Sequence, residues 1–139
     1  MNRIVKLMVL LGTMLFANVG VVKTLEGKAE VKRDKKLIVL KEGSTLENGD
    51  IVFTKDKSAL GIMFDDGTRV SLGAKAIFVI NSFVVKPSDK KYDVDLKLKK
   101  GKAVFSSGKI GKLSPESVKF RIPTGVIGIR GTKFAVEAK

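Results

Sequence analysis

Cysteine, histidine and tryptophan are all absent from this 139-residue sequence. Without cysteine the chain can form no disulfide framework and has no N-terminal thiol for a lipid anchor, so the core alone must hold the fold. Without histidine and cysteine it also lacks the commonest general base, the common thiol nucleophile and the usual ligands of transition metals. The remaining carboxylate, serine and lysine side chains show no spacing with a recognised catalytic role. We therefore expect no enzyme activity, no metal site and no cofactor.

Arginine and aromatic residues are scarce, although the chain is strongly basic. Five arginines stand among 27 basic residues, against 14 acidic residues, and the formal net charge is +13. Specific recognition of phosphates or bases usually uses the planar fork of arginine. The eight phenylalanines mostly lie inside apolar patterns rather than beside basic residues as stacking platforms. We therefore expect no nucleic-acid partner, and we interpret the charge mainly as solubility and weak steering.

The apolar run at the N-terminus is too short to cross a bilayer. Leu7–Phe16 is ten residues without a charge, behind the basic segment Met1–Lys6 and before Ala17. A spanning helix needs about 20 apolar residues, whereas this arrangement is typical of a secretory signal peptide. We expect residues 1–17 to be a signal peptide, with an uncleaved anchor as the alternative, and residues 18–139 to be one exported domain. Membrane contact is expected only if the first segment stays attached.

Short alternating runs separated by turn residues fill the rest of the chain, a pattern typical of all-β proteins. The clearest example is the pair Ala59–Phe64 and Arg69–Leu72, in which Asp66-Gly67 forms a strong hairpin signal. Asp65 and Asp66 could be suspected of forming a catalytic or metal-binding pair. Adjacent residues on a strand or turn rarely converge on one ligand, so we do not expect such a site.

The rest of the sequence also predicts strands and turns, and no segment after residue 17 has apolar residues at the spacing of an amphipathic helix. Further strands are expected at 20–31, 37–40, 51–54, 92–98, 103–105 and around Val118, Phe120 and Ile122, with Ala76–Val85 as a buried strand pair bent near Asn81-Ser82. Turns or loops are expected at 41–50, 87–91, Lys100-Gly101-Lys102 and 106–115. Asp93 and Asp95 share the wet face of their strand, where lysines can neutralise them. We predict a single domain of many short antiparallel strands, arranged as a sandwich or as a rolled, solenoid-like sheet.

The last twenty residues place Gly125, Gly128 and Gly131 three apart, which raises the question of a phosphate-binding loop. Such a loop needs a helix directly behind it to supply free amides. Only eight residues with alternating apolar positions follow Gly131. We therefore interpret these glycines as places where strands bend or double back, and Arg130 as a clamp on turn carbonyls.

Four ordered blocks of residues resemble the FecR domain family of bacterial envelope proteins. They are Gly43-x-x-Leu46-x-x-Gly49-Asp50-x-Val52-x-Thr54, Ser58-Ala59-x-x-Ile62-x-Phe64-x-Asp66-Gly67-Thr68-x-Val70-x-Leu72, the Lys100-Gly101-Lys102 turn, and Ile122-Pro123-Thr124 through Ile129-Arg130-Gly131-Thr132-x-Phe134-x-Val136. The resemblance implies a periplasmic β-domain that closes with strands and turns. Regulator-type members also carry a cytoplasmic segment that restrains a sigma factor, and a membrane helix. We expect a stand-alone exported domain here instead.

The resemblance and the composition together suggest a function and a set of contact positions. We expect a non-catalytic interaction module of the Gram-negative envelope that meets an envelope protein through loops or an exposed strand edge. Electrostatic binding of a cell-wall glycan or another polyanion is the alternative. Candidate structural or partner-contacting residues are the turn positions of these blocks: Gly49, Asp50, Asp66, Gly67, Thr124, Gly128, Arg130, Gly131 and Thr132.

Overall fold

The computed structural model describes residues 18–129 and 133–139, which form one all-β domain as expected. The expected signal peptide lies outside the described residues. The strands are β1 Gly20–Glu26, β2 Ala29–Arg33, β3 Lys36–Val39, β4 Thr45–Leu46, β5 Ile51–Thr54, β6 Ala59–Phe64, β7 Arg69–Leu72, β8 Ile77–Lys86, β9 Lys91–Ser106, β10 Val118–Ile122, β11 Gly125–Ile127 and β12 Lys133–Ala138. A short helix, α1, covers Ile110–Leu113, and single 3-10 turns cover Pro87–Asp89 and Pro115–Ser117.

Strand β9 runs through both halves of one curled, half-barrel sheet. Its first part pairs with β8 on one side and β10 on the other, in a half-sheet ordered β3-β2-β5-β8-β9-β10-β11. Its second part pairs with β7 and β12, in a half-sheet ordered β4-β1-β6-β7-β9-β12. We call these the first and second half-sheets. Of the two arrangements left open by the sequence, the structure therefore has the rolled one.

One strand pairing in the described residues departs from the antiparallel expectation. β10 runs parallel to β9, with Val118 opposite Val94 and Phe120 opposite Leu96. A parallel neighbour needs a crossover connection rather than a tight turn. The segment between Ser106 and Val118, which contains α1, provides that connection.

The core lies inside the curl and is built from alternate, inward-facing residues along the strands. Phe78, Phe105 and Phe120 are completely buried. The rings of Phe105 and Phe120 meet edge to face with centroids 5.9 Å apart. Phe64 stacks on Phe83 at 4.2 Å. Burying a side chain of this kind stabilises the fold by about 2–3 kcal/mol, so these rings hold the two half-sheets together without disulfides.

Two expected turns or breaks lie inside continuous strands. Ala76–Val85 was expected to be a strand pair, but Ile77–Lys86 is the single strand β8, with a register shift between Ile80 and Ser82. Gly101, expected in a turn, lies within β9 at φ +98°, beside a second register shift. Some bulges and many tight turns place a glycine at positive φ, so the glycine alone does not distinguish them.

Smaller differences concern the connections. The expected strand 20–31 is broken at Gly27-Lys28 into β1 and β2, and the expected loop 106–115 contains α1. Residues 87–90 form a compact turn that closes the β8–β9 hairpin, with the amide of Lys90 donating to the Pro87 carbonyl at 3.1 Å. Within the described ranges, no helix has the length and apolar character that a membrane crossing requires.

Candidate functional site

Asp50 is completely buried and forms a bidentate ion pair with Arg33. Arg33 Nε donates to Asp50 Oδ1 at 2.8 Å and Nη2 to Oδ2 at 2.7 Å. The amide of Glu47 also donates to Oδ2, at 2.8 Å. The hydrogen bond to Asp50 raises the pKa of Arg33 above its ordinary value. These contacts satisfy the carboxylate internally, so it has a structural role in fixing the turn before β5.

Sequence reasoning missed Arg33, which lies between the expected strands 20–31 and 37–40. The two partners are 17 positions apart. No local pattern indicates that Arg33 reaches Asp50, because the contact depends on how β2 and β5 pair. The only available signal is that a buried carboxylate needs a cationic partner, and arginine is the residue best suited to bidentate pairing.

Gly49, in the turn before β5, packs against the bulge of β8. It adopts φ +91°, which favours glycine, and its amide donates to the Ile80 carbonyl at 2.6 Å. The side-chain oxygen of the neighbouring Asn48 accepts a hydrogen bond from the Phe83 amide at 2.8 Å. The turn before β5 therefore supplies partners for backbone groups next to the bulge at Asn81.

Asp66 and Gly67 form the β6–β7 hairpin turn, with Gly67 at φ +90°. The buried Asp66 carboxylate accepts hydrogen bonds from the Thr68 amide at 2.9 Å, the Thr68 hydroxyl at 2.9 Å and the Ile110 amide at 3.0 Å. It therefore binds the first turn of α1, which carries free amides. Although much of Asp65 is exposed, partial desolvation of its carboxylate raises its pKa, and the charge of Asp66 raises it further. The two carboxylates do not form a shared site.

The β10–β11 hairpin turns at Pro123-Thr124, because Ile122 pairs with Gly125. Thr124 and Gly128 are exposed. Neither Gly125 nor Gly128 has a left-handed φ, and a Cβ at either would meet no described atom within 4 Å. The chain therefore doubles back beside Gly125, as interpreted from the spacing, although neither position needs the conformational freedom of glycine. Arg130, Gly131 and Thr132 lie outside the described residues.

Asp95 is partly exposed on the outer face of the first half-sheet, and its hydrogen-bonded counter-charge is an arginine, to which Lys119 adds a weaker attraction. Arg121 Nε donates to Oδ1 at 2.8 Å and Nη2 to Oδ2 at 3.1 Å. Asn81 also donates to Oδ1, at 3.3 Å. The hydrogen bond from Arg121, followed by that from Asn81, lowers the pKa of Asp95 despite its partial burial. This ion pair crosses the parallel β9–β10 junction and stabilises it. Within the described residues, no cluster of acidic side chains could hold a metal ion.

The outer face of the first half-sheet carries an apolar surface that ends at an open edge. Leu37 and Val39 of β3 are 64% and 74% exposed. Residues directly opposite one another on neighbouring strands share a face of the sheet. One such row crosses four strands, from β3 through β2 and β5 to β8, and consists of Val39, Glu30, Phe53 and Ile77. The side chains of Phe53 and Ile77 are only partly covered. We call β3 with Leu37, Ile38 and Val39 the open edge.

Beside that face, an open cleft of about 670 Å³ lies where several turns meet. Five lysines line it, and we call it the lysine cleft: Lys28, Lys55, Lys57, Lys75 and Lys100. Phe53 and Ile77 form its apolar wall, and among the described residues Asp56 is the one acidic side chain that lines it.

The backbones of three cleft lysines are joined directly. The amide of Lys55 donates to the Lys28 carbonyl at 3.0 Å, and the amide of Lys75 donates to the Lys55 carbonyl at 3.2 Å. Two of the five form ion pairs, Lys55 with Glu30 at 2.6 Å and Lys75 with Asp56 at 3.6 Å. The cleft therefore retains an excess of positive charge.

Comparison with known proteins gives one family. Residues 50–139, more than half of the chain, match the family model described as FecR protein. No curated protein matches the chain. A solved structure described as a cell surface anchoring domain is similar to part of the chain, with 31% identity over 44% of this chain and 82% of its own, and a TM-score of 0.43.

Proposed function

Because the chain belongs to the FecR family, a family of envelope-associated signalling and regulatory proteins rather than enzymes, we propose that it is a non-catalytic interaction module exported to the periplasm. Its partner is a protein of the cell envelope. The observation that carries this proposal is the open edge, which presents apolar side chains together with the backbone groups of an edge strand.

The geometry of β3 suits the addition of a strand. It pairs with β2 on one side and, among the described residues, has no strand on its other side. An edge of this kind presents backbone donors and acceptors to which an extended segment of a partner can pair. Leu37 and Val39 project from the outer face, so a paired segment that covered them would gain about 1.5–3 kcal/mol for each side chain fully buried.

The charge around the open edge indicates the chemistry of the partner. Lys32, Lys35, Lys36 and Lys41 surround the apolar residues of β3 and are exposed. A partner segment with alternating apolar residues and acidic flanks would complement this surface. Charges at the rim mainly accelerate association, whereas the apolar centre maintains the complex at high salt.

Site-specific photo-crosslinking in intact cells tests the proposal. A photoreactive residue replaces Val39 on the open edge or, as the matched control, Val126, a 55% exposed valine on the edge strand β11. We expect one envelope protein to crosslink at Val39, at both low and high salt, and not at Val126. No adduct at Val39, or the same adducts at both positions, would overturn the proposal.

A charge variant tests the apolar centre separately. Leu37→Lys/Val39→Lys alters exposed side chains, so the domain should remain folded, and its affinity for the crosslinked protein should fall at least tenfold. Leu113→Lys, at a 45% exposed leucine on α1, is the control and should bind normally. Unchanged binding by the double variant would show that the open edge is not the interface.

Export is tested by the N-terminus of the protein recovered from the periplasm. The sequence predicts a mature chain that begins at Asn18, after Ala17. Recovery of the full-length chain in the cytoplasm would contradict this part of the proposal.

A further inference from the structure

We propose that the lysine cleft binds an anionic polysaccharide of the cell envelope, one that carries carboxylate or phosphate groups along its chain. The cleft adjoins the open edge, because Phe53 and Ile77 belong to the cross-strand row that ends at Val39. The inference nevertheless does not depend on the protein partner proposed above. It rests on the placement of the lysines, on how their turns are fixed, and on the shape and wall of the cleft.

The first argument is the concentration of like charge. Lys28, Lys55 and Lys75 come from three different turns, yet their backbones are joined by two consecutive hydrogen bonds. Clustered like charges repel one another, and their field attracts a ligand of opposite charge. Lys55 and Lys75 each contact one carboxylate, from Glu30 and Asp56. The charge that remains in the cleft can be neutralised by a bound anion.

The second argument is that buried groups fix the turns that carry the lysines. Ser58 is 5% exposed, and its hydroxyl accepts a hydrogen bond from the Lys28 amide at 2.9 Å and donates to the Asp56 carbonyl at 3.0 Å. Thr54, also 5% exposed, donates to the Gly73 carbonyl at 2.6 Å and accepts from the Ala76 amide at 2.8 Å. The backbone of the cleft is therefore ordered before a ligand arrives, which lowers the entropy cost of binding.

Gly101 fixes the remaining side of the cleft. A Cβ at this position would lie 2.7 Å from Ala76 Cα, so the β9 bulge approaches the β7–β8 connection as closely as glycine allows. This contact brings Lys100 of β9 to the cleft that Lys75 also lines. Two lysines from elements that are distant in the sequence therefore line one cleft.

The third argument concerns the class of ligand. Lysine acts as a point charge and does not impose the planar, bidentate geometry of arginine. An open cleft with several separate ammonium groups suits a polymer with repeated charges better than one small anion. The apolar wall of Phe53 and Ile77 can cover the C–H face of a sugar ring, which an inorganic anion or a polyphosphate does not have.

Binding of defined polymers to the full chain tests the ligand class. The probes are polygalacturonate, phosphorylated dextran, neutral dextran and polyglutamate. The three charged polymers are compared at equal concentrations of charged groups. We expect one or both charged glycans to bind more tightly than polyglutamate, and neutral dextran not to bind. The better of the two identifies carboxylate or phosphate as the natural group. Equal affinity for polyglutamate, or no binding of either charged glycan, would overturn the inference.

Two matched double variants locate the binding site. Lys57 and Lys75 line the cleft, and both have left-handed backbones, at φ +51° and +54°. Lys35 and Lys90 are also left-handed turn lysines, at φ +66° and +52°, but they lie beyond the opposite ends of β2 and β8. Lys57→Gln/Lys75→Gln and Lys35→Gln/Lys90→Gln therefore remove the same charge from the same kind of backbone position.

We expect the cleft variant to lose at least tenfold in affinity for the charged glycan, and its dependence of binding on salt to become shallower. The control variant should stay within about twofold of the parent, since distant exposed charges are screened at physiological salt. Equal losses in the two variants would show a general charge effect and would overturn the assignment to the cleft. Urea unfolding of each variant confirms that it is folded.

Replacement of the apolar wall provides an independent readout. Phe53→Thr should reduce the preference for the charged glycan over polyglutamate while leaving polyglutamate binding unchanged. A variant that loses affinity for both polymers equally would contradict the role of Phe53 as a sugar-contacting surface.

Discussion

The Asp66 carboxylate accepts a hydrogen bond from the amide of Ile110, 44 residues further along the chain, at 3.0 Å. The hairpin turn between β6 and β7 and the start of α1 are therefore stabilised by one side chain. The adjacent backbone strengthens the connection, because the Lys109 amide donates to the Asp66 carbonyl at 3.0 Å and the Gly108 amide donates to the Thr68 hydroxyl at 3.0 Å.

Asp66→Asn is expected to lower the free energy of unfolding by about 2 kcal/mol, because an amide group cannot accept all three hydrogen bonds and leaves a buried donor unsatisfied. Urea unfolding followed by circular dichroism measures the change. Asp65→Asn is the matched control. Because the pKa of Asp65 is raised, the folded state disfavours its charge, so the neutral variant should be unchanged or slightly more stable. Equal destabilisation by both would contradict the role assigned to Asp66.

Arg33→Lys is expected to destabilise the domain by about 3 kcal/mol or more, although it preserves charge. Lysine cannot supply the two parallel hydrogen bonds that Asp50 receives, and a buried carboxylate left incompletely paired is costly. Arg69→Lys, at an exposed arginine of β7, provides the control and should change stability by less than about 0.5 kcal/mol. The urea midpoints of the two variants decide the question, and a small effect at Arg33 would show that the ion pair is dispensable.

Gly101→Ala is expected to cost about 3 kcal/mol or to prevent folding, because the new methyl group meets Ala76 and the residue must keep φ +98°. Gly125→Ala tests the same substitution where the geometry does not require glycine. It should be neutral or slightly stabilising, since alanine reduces the entropy of the unfolded chain. Thermal unfolding of the two variants compares them directly. A cost at Gly125 as large as that at Gly101 would contradict the geometry.

The residues chosen for these variants differ in how far their roles could be predicted from the sequence. Alternation over Ala59–Phe64 and the Asp66-Gly67 signal correctly indicated a hairpin, because both are local. The position of Gly101 was misread because a strand bulge and a tight turn use the same residue. The contacts of Arg33 with Asp50 and of Asp66 with Ile110 join distant segments, so they depend on strand order, which no local pattern carries.

The lysine cleft illustrates the same limit. Its lysines are scattered between Lys28 and Lys100, and their spacing in the sequence indicated only general basicity. They converge because neighbouring turns of β1–β2, β5–β6 and β7–β8 lie at the same end of the first half-sheet. Composition could therefore suggest a polyanion as a ligand but could not locate a site for it.

Acid should weaken the junction between β9 and β10. The pKa of Asp95 is below its ordinary value of 3.8 because Arg121 donates hydrogen bonds to it. Its contribution to stability is therefore complete above the pKa of the unfolded chain and is lost as the pH falls through the lower, folded pKa.

Urea unfolding between about pH 6 and about pH 3 tests this dependence, within the range where aspartates titrate. Asp95→Asn should lose less stability across this interval than the parent, because the titrating group has been removed. Lys112→Gln, a change of one exposed charge outside the ion pair, should follow the parent. Identical pH profiles for the parent and Asp95→Asn would show that the ion pair does not contribute.

Because β9 belongs to both half-sheets, it affects the order in which the domain can form when the chain is made or translocated with its N-terminus first. Until Lys91–Ser106 is available, β7 and β8 each lack their central neighbour, and the two half-sheets are separate fragments with open interior edges. Exposed strand edges of this kind invite pairing with other chains. A nascent or translocating chain therefore depends on a late segment to close both fragments at once, and the interval before that closure is when it is most vulnerable to aggregation.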